Sequence, residues 1–148
     1  MEIRLLAVGK LKEKYLSAAQ ESLLTEISKR HKVRLFEIRD EKTIDGAGAK
    51  EEDRVRNIEG QRILSTIKEK GRVIVLDVSG KKVDSNYWSK KIRETDEEHG
   101  LLYLVIGGSL GISQEVLKLS DERVSFSRMT YPHQLFRIML LNEIAAAR

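Results

Sequence analysis

Apolar residues along the chain follow two spacings, one typical of strands and the other of helices. Short apolar or alternating runs predict five strands, at 3–8, 33–38, 73–78, 101–106 and 124–127. Between them, apolar residues recur every three or four positions and predict helices at about 13–30, 51–69, 85–100 and 134–147, with a short one after Ser113. Strands that alternate with helices favour an α/β domain around a mostly parallel sheet.

Local signals predict where several of these elements begin and end. The expected terminators are Gly71 after the second helix, Ser79-Gly80 after the third strand and Gly100 after the third helix. Ser85 and Ser113 are the expected N-caps, and Gly60 is expected to interrupt the second helix. The apolar repeat of the first helix consists of Tyr15, Leu16, Ala19, Leu23, Leu24 and Ile27.

The final predicted helix is apolar on most of its circumference. Its apolar residues are Leu135, Phe136, Ile138, Met139, Leu140, Leu141 and Ile144. A helix that is apolar all round must be buried on several sides. In a domain of this size, the sequence therefore predicts that this helix also contributes to a subunit interface.

The predicted strand at 101–106 is an unbroken apolar run that ends at Gly107-Gly-Ser-Leu-Gly111. Such a run indicates a fully buried strand that enters a tight turn, and glycine allows a ligand to approach the backbone closely. Ligands of open α/β sheets collect outside the carboxyl ends of the strands. We therefore expect a ligand site at this turn. The glycines fit neither the dinucleotide fingerprint nor the P-loop, and a plain strand-to-helix turn remains an equal alternative.

Composition narrows the class of protein. The 148 residues suffice for one domain with a proper core, and a net charge of +4 permits a polyanionic partner without demonstrating one. The absence of cysteine excludes disulfides and thiolate metal sites. No apolar run approaches the roughly 20 residues of a membrane span, and the first residues do not fit a signal peptide, so a cytoplasmic protein is expected.

A few polar residues are candidates for chemistry. His133 follows the single proline and could act as a base or could simply solvate a helix start. Arg123, Arg128 and Arg137 could face phosphates; alternatively, Arg123 begins a strand in solvent and Arg137 pairs with a carboxylate. Lys10, Lys12 and Lys14 follow the first strand, where they could contact a ligand or form a solvated face. The three histidines lack metal-binding spacing, which predicts no metal site.

Four segments together carry a resemblance to a known family. They are Ala7-Val-Gly-Lys-Leu-Lys-Glu-Lys-Tyr15, Glu59-Gly-Gln-Arg62, Val105-Ile-Gly-Gly108 and Phe126-Ser-Arg-Met-Thr-Tyr-Pro-His-Gln134. With their spacing over residues 1 to about 143, they resemble the RlmH (formerly YbeA) family of small bacterial SPOUT-class RNA methyltransferases.

The resemblance implies a single SPOUT methyltransferase domain over residues 1–148, with helices on both faces of the sheet. About residues 101–148 would form a trefoil knot that cradles S-adenosylmethionine, an exception to the unknotted rule. It further implies a homodimer that methylates N3 of a pseudouridine in 23S ribosomal RNA, within the assembled ribosome.

Site residues also follow from the resemblance. The implied cofactor contacts are Leu76, Gly107, Gly108, Phe126, Ser127, Arg128, Met129, Thr130 and Tyr131. His133 and Arg137 are the expected catalytic residues on the substrate side, and Lys10 and Lys12 the expected RNA contacts. Family members usually continue beyond the position of Arg148 with a basic stretch ending in a Tyr-His pair. The resemblance implies that this stretch serves cofactor binding and catalysis, whereas the fold does not need it.

Two other functions remain open at the level of sequence. A flavodoxin-like regulator that binds a nucleotide or flavin is compatible with any five-stranded α/β domain, and would bind no S-adenosylmethionine. A non-enzymatic dimer that associates with the ribosome would bind ribosomes without transferring a methyl group.

Overall fold

Strands and helices alternate along the chain, as the sequence predicts. The computed structural model describes residues 1–43, 46, 48–98, 100–126 and 133–147. The strands are β1 (Glu2–Val8), β2 (Lys32–Ile38), β3 (Arg72–Lys82), β4 (Leu101–Ile106) and β5 (Glu122–Ser125). The helices are α1 (Lys14–Ser28), α2 (Ala49–Thr66), α3 (Ser85–Glu98), α4 (Gln114–Leu119) and α5 (His133–Ala146). The predicted α/β fold is confirmed.

The strands form one sheet in the order β2-β1-β4-β3-β5, and every pairing between them is parallel. β4 lies at the centre and all six of its residues are buried, as its apolar run predicts. Because the strands are parallel, their carboxyl ends share one edge of the sheet. At that edge β1 and β4 are neighbours, with Ala7 paired to Ile106.

Helices cover both faces of the sheet. One core cluster lies under α1, α3 and α5, and joins β-strand residues such as Leu5 and Leu104 to Trp88 and Leu140. The other lies under α2 and α4, where the intervening strand residues Leu6 and Val105 pack against Ile63 and Val116. Neighbouring residues of one strand thus serve opposite cores, as the pleat requires. Each fully buried Leu or Ile contributes about 1.5–3 kcal/mol to folding.

The predicted end of β3 is wrong. The strand continues through Ser79-Gly80 to Lys82, and Val78, the last residue of the predicted strand, is 62% exposed. Leu76 and Lys81 both pair with Val124, so residues 77–80 form an excursion between two pairings with β5. A Cβ added to Gly80 would lie 2.7 Å from the Arg123 carbonyl carbon. This glycine therefore allows close contact with β5 rather than a change of direction.

The glycine predictions for α2 are wrong too. The helix ends at Thr66, well before Gly71, and it continues through Gly60 without a break. A Cβ on Gly71 would lie 2.8 Å from the Leu101 carbonyl oxygen, which means that this glycine serves close packing of backbone. Gly100, by contrast, has a φ of +69° and its N–H donates to the Thr95 carbonyl at 2.8 Å, the C-terminal role predicted for it.

Other boundaries differ by small amounts. Ser113 caps α4 as predicted, since its hydroxyl accepts the N–H of Val116. Ser85 is the first residue of α3, and the carboxylate of Asp84 accepts the Tyr87 N–H at 3.3 Å in the capping role. Tyr15, counted in the apolar repeat of α1, is exposed. Within the described residues, no helix is both long and apolar enough to cross a membrane.

Candidate functional site

A cavity of about 250 Å³ opens at the carboxyl ends of β4 and β5, beside residues 76–78 within β3. Apolar side chains form most of its wall, among them Leu76, Ile106, Phe126 and Phe136. The turn from Gly107 to Gly111, called the glycine turn below, forms its floor on the side of β4. The cavity lies where the open-sheet rule places ligands. The structure thus brings together four predicted cofactor residues, Leu76, Gly107, Gly108 and Phe126.

The glycine turn is tight and packed. The Gly111 N–H donates to the Gly108 carbonyl at 3.1 Å, and Gly111 has a φ of +89°, which a residue with a side chain rarely adopts. A Cβ on Gly107 would lie 2.6 Å from the Ile112 Cδ1 and 2.8 Å from the Gly111 carbonyl oxygen. Glycine at position 107 is therefore required by the protein's own packing, and the same turn leaves its backbone beside the cavity.

Glu59 lies beneath this turn. Its side chain, on α2, is only 5% exposed, and one carboxylate oxygen lies 3.0 Å from the place a Gly108 Cβ would occupy. The other oxygen accepts the backbone N–H of Glu41 at 2.9 Å. Burial raises the pKa of the Glu59 carboxyl group above its ordinary value. Glu59 therefore joins the segment that leaves β2 to the glycine turn that leaves β4.

Neighbouring side chains of α2 strengthen both connections. Arg62 donates to the Arg39 carbonyl at 2.9 Å and to the Glu41 carboxylate at 2.7 Å. Arg56 donates to the Leu110 carbonyl of the glycine turn at 3.2 Å. The segment Glu59-Gly-Gln-Arg62, which carried part of the resemblance, thus holds the segment that leaves β2, and Arg56, one turn earlier in α2, holds the glycine turn. Local sequence signals could not reveal this role, because its partners are distant in the chain.

Arg137 is buried, with 2% of its surface exposed. Its guanidinium donates to the carboxylate of Glu37 at 2.7 Å, to the side-chain oxygen of Gln20 at 3.2 Å and to the carbonyl of Gly9 at 3.0 Å. The ion pair with a carboxylate, one of the two alternatives from the sequence, is confirmed. Arg137 therefore fixes α5 to the ends of β1 and β2.

The other predicted cations lie on the surface. Lys10 and Lys12 are exposed in the segment that follows β1, and the Lys12 backbone N–H donates to the side-chain oxygen of Gln134 at 3.4 Å. Arg123 is exposed on β5, which agrees with the alternative that it begins a strand in solvent. Residues 127–132, which include the expected cofactor contacts Ser127, Arg128, Met129, Thr130 and Tyr131, lie outside the described residues. His133 begins α5, and its side chain also lies outside the description.

Asp77 is a site residue that sequence reasoning missed. It is half-buried, and of the described residues that line the cavity it is the one with a charged side chain. The Ser79 hydroxyl donates to its carboxylate. A polar residue directly after a buried apolar run was the available signal, because that position lies at the ligand edge of a parallel sheet.

The sequence model of the family described as "Predicted SPOUT methyltransferase" matches residues 1–146. The chain belongs to this family. Membership confirms the resemblance and makes the protein a methyltransferase of the SPOUT class. Within the described residues, no cluster of three or more His, Cys, Asp or Glu side chains could hold a metal ion.

Relatives within the family are similar over nearly their full length. The "Ribosomal RNA large subunit methyltransferase H" of Clostridium kluyveri is 45% identical over 145 residues, which are 97% of this chain and 91% of the relative. The "Ribosomal RNA large subunit methyltransferase H 1" of Clostridium perfringens is 45% identical over 148 residues, which are 99% of this chain and 93% of the relative.

Solved structures of a probable methyltransferase and of a tRNA methyltransferase share the fold. A probable methyltransferase from Bordetella pertussis has a TM-score of 0.57 at 11% identity, over 98% of this chain and 93% of its own. The tRNA (m1G37) methyltransferase from Aquifex aeolicus has a TM-score of 0.55 at 12% identity, over 100% and 71%. At these identities the likeness concerns the fold alone.

Proposed function

We propose that the protein transfers a methyl group from S-adenosylmethionine to N3 of a pseudouridine in 23S ribosomal RNA, acting on the assembled ribosome in the cytoplasm. The observation that carries the proposal is the apolar cavity against the glycine turn, in a chain of the SPOUT methyltransferase family. The names of relatives that are 45% identical support ribosomal RNA as the substrate class. The base and the ribosomal state of the substrate follow from the resemblance to the RlmH family.

The described wall of the cavity fits S-adenosylmethionine. Leu76 and Phe126 offer apolar surface to an adenine ring, and the main chain at Gly107 and Gly108 can meet the ligand closely. The Asp77 carboxylate at the same wall can accept hydrogen bonds from ribose hydroxyl groups, a role that acidic residues fill in other nucleotide sites. In this proposal Ser127, Arg128, Met129, Thr130 and Tyr131 complete the contacts.

Bound S-adenosylmethionine would supply a methyl group on a sulfonium centre, with the neutral thioether as the leaving group. The protein's task is then chiefly to hold the two partners in line. The proton on N3 of the base must leave, and we assign its removal to His133, whose imidazole has a suitable ordinary pKa. The buried hydrogen bonds of Arg137 support a positioning role for that residue, through Gly9 at the end of β1 and Glu37 near the end of β2.

RNA would approach from the side of β1. Lys10 and Lys12 are exposed there, next to α5, and their charges suit phosphate groups. Phosphate contacts of this kind set position and add affinity, whereas the choice of base would depend on the fold of the ribosomal RNA.

The proposal includes a homodimer that uses α5, and a knotted course for about residues 101–148. Several apolar residues of α5 are only half-buried within the single chain, namely Leu135, Phe136, Ile138 and Met139. A second copy packed on this helix would bury them, which supports the dimer.

The test is calorimetric titration with S-adenosylmethionine of the wild type and two glycine variants. Gly107→Ala introduces a Cβ into the packed turn and is expected to weaken binding at least tenfold. Gly48→Ala is the matched control, because its Cβ would meet nothing within 4 Å. Ribosomes that lack the modification are then incubated with methyl-labelled S-adenosylmethionine. The label should appear in 23S ribosomal RNA. Absence of cofactor binding would sink the proposal, and ribosome binding without label would favour the non-enzymatic alternative.

A further inference from the structure

The segment from Lys10 to Tyr15, called the lysine segment below, has an unusual surface. Lys10, Lys12 and Lys14 are exposed, and Tyr15 is 70% exposed. Among the described residues, the exposed large hydrophobic side chains are Tyr15, Val78 and Leu119, and Tyr15 is both the most exposed and the aromatic one. The lysine ion pairs of the described residues involve Lys29, Lys90 and Lys91 instead.

Tyr15 is not part of the hydrophobic core formed by the described residues. The buried side of α1 carries Leu16, Gln20 and Ile27, which face the core together with α5. Tyr15 lies in the first turn, outside this side, so its ring contributes little to the core. An exposed aromatic ring that follows three exposed lysines in the chain has a composition that suits nucleic acid, because phosphates meet the cations while a base can stack on the ring.

The lysine segment also lies near the cavity. It leaves β1, whose neighbour β4 leads into the glycine turn, and paired strands are about 4.8 Å apart. The hydrogen bond from Lys12 to Gln134 fixes the segment to the first turn of α5. Phe136, two residues further along that helix, lines the cavity. An RNA strand that crosses the lysine segment would therefore run alongside the proposed methyl-transfer site.

We propose that Tyr15 stacks on an unpaired base of the substrate RNA while Lys10, Lys12 and Lys14 hold the flanking phosphates. This inference rests on the proposed function and specifies the form of RNA that the surface takes. A base inside a duplex stacks on its neighbours and offers no free face, so single-stranded RNA is the ligand. Stacking on Tyr15 would position the substrate RNA, while the neighbouring lysines hold its phosphates.

The test uses an oligouridine of about 20 nucleotides with one central 2-aminopurine, alone and as a duplex with its complement. Tyr15→Ala is expected to weaken single-strand binding about tenfold to a hundredfold and to abolish the fluorescence quenching that stacking causes. Tyr15→Phe keeps the ring and should bind within about twofold of the wild type. Lys12→Ala should weaken single-strand and duplex binding alike, because it loses a phosphate contact.

Controls separate this inference from other outcomes. Leu119→Ala removes another exposed side chain, 46% exposed on α4 across the sheet, and should change nothing. If the wild type binds ribosomes but not the single-stranded oligouridine, the stacking inference alone fails. If it binds neither, the proposed function fails together with this inference. If Tyr15→Ala binds, quenches and transfers methyl groups as the wild type does, the stacking inference alone fails. If Tyr15→Ala instead changes the sedimentation of the protein, Tyr15 belongs to a protein interface and the inference is overturned.

Discussion

At the scale of single residues, Glu59 shows how a costly group can be retained at a site. A buried carboxylate is unfavourable unless hydrogen bonds compensate it, and the Glu41 N–H supplies one such bond. Burial still dominates, because the pKa of Glu59 is raised. Groups with perturbed pKa values concentrate at functional sites, and this one lies directly beneath the glycine turn.

We predict that Glu59→Gln stabilises the protein at neutral pH. The folded state raises the Glu59 pKa above its ordinary 4.5. The carboxyl group therefore contributes most to the free energy of unfolding below pH 4.5, and this stabilisation is lost as the pH rises through the raised pKa. Glutamine keeps an acceptor oxygen for Glu41 without the charge. The melting temperature of the variant should equal that of the wild type near pH 4 and exceed it near pH 7. The difference should be about 3 °C for each kcal/mol by which the substitution raises the free energy of unfolding.

The control for this prediction is Glu21→Gln, which alters an exposed carboxylate on α1. Its melting curve should follow the wild type throughout. A constant difference between Glu59→Gln and the wild type at all pH values would show that the charge at position 59 is not the cause.

Residue roles were predictable from the sequence where the local context is decisive. Gly107 could be placed at the carboxyl edge, because it follows a recognisable apolar strand, whereas Leu76 was implied only by the resemblance. Arg137 was left with two alternatives, because the choice depends on Glu37, which is 100 positions away in the chain. Glu59 was recognised only as part of a motif, since nothing near it in sequence shows that it is buried.

At the scale of elements, α2 and α4 approach closely at one glycine. A Cβ on Gly60 would lie 2.3 Å from the Ser113 Oγ and 2.9 Å from the Ser113 Cβ. The close approach brings the N-terminus of α4 against α2 beside the glycine turn. Gly60, expected to break the helix, is instead the residue that permits this contact.

We predict that Gly60→Ala destabilises the protein by about 1–3 kcal/mol, the range typical of overpacking. Ser113→Gly removes the two atoms that would lie within 3 Å of the new Cβ, and glycine at an N-cap costs only a few tenths of a kcal/mol. In that background Gly60→Ala should become neutral or stabilising, because alanine is the better helix former. Urea denaturation of the four proteins in the cycle measures the coupling. Simple additivity of the two substitutions would falsify the contact.

Element boundaries were predictable where one signal acted alone. β4 was predicted to the residue and the cap of α4 was correct, because an apolar run and a serine cap are local features. The end of β3 was wrong because Ser79-Gly80 has the composition of a turn, whereas its conformation follows from contact with β5. The prediction for Gly71 was wrong for the same reason, because the residue that it contacts in space, Leu101, belongs to another part of the chain.

At the scale of the whole molecule, the partly exposed apolar surface of α5 predicts self-association. Met139→Asp places a charge on that surface, and an unpaired buried charge costs several kcal/mol. We expect its dimer dissociation constant to rise at least a hundredfold in sedimentation equilibrium, with circular dichroism unchanged. Leu119→Asp, on the far face of the sheet, should remain dimeric. A monomeric wild type would contradict the proposed interface.

The overall architecture was largely predictable, because alternating strands and helices leave few arrangements for a parallel sheet. The proposed knot was not predictable from hydrophobic pattern. Threading of a chain is a property of its path in space and leaves no periodic trace in the sequence, so the knot was implied only by the resemblance.

The excursion of β3 has a consequence for how the cavity receives a ligand. Residues 77–80 leave and rejoin the sheet at the same partner residue, Val124, so both ends of this wall are fixed. Ordering a free segment costs about 1–2 kcal/mol per residue in conformational entropy. A wall held at both ends has already lost much of that freedom during folding. The cavity is therefore preorganised on the side of Asp77, and a ligand that binds there would lose little free energy to ordering this wall.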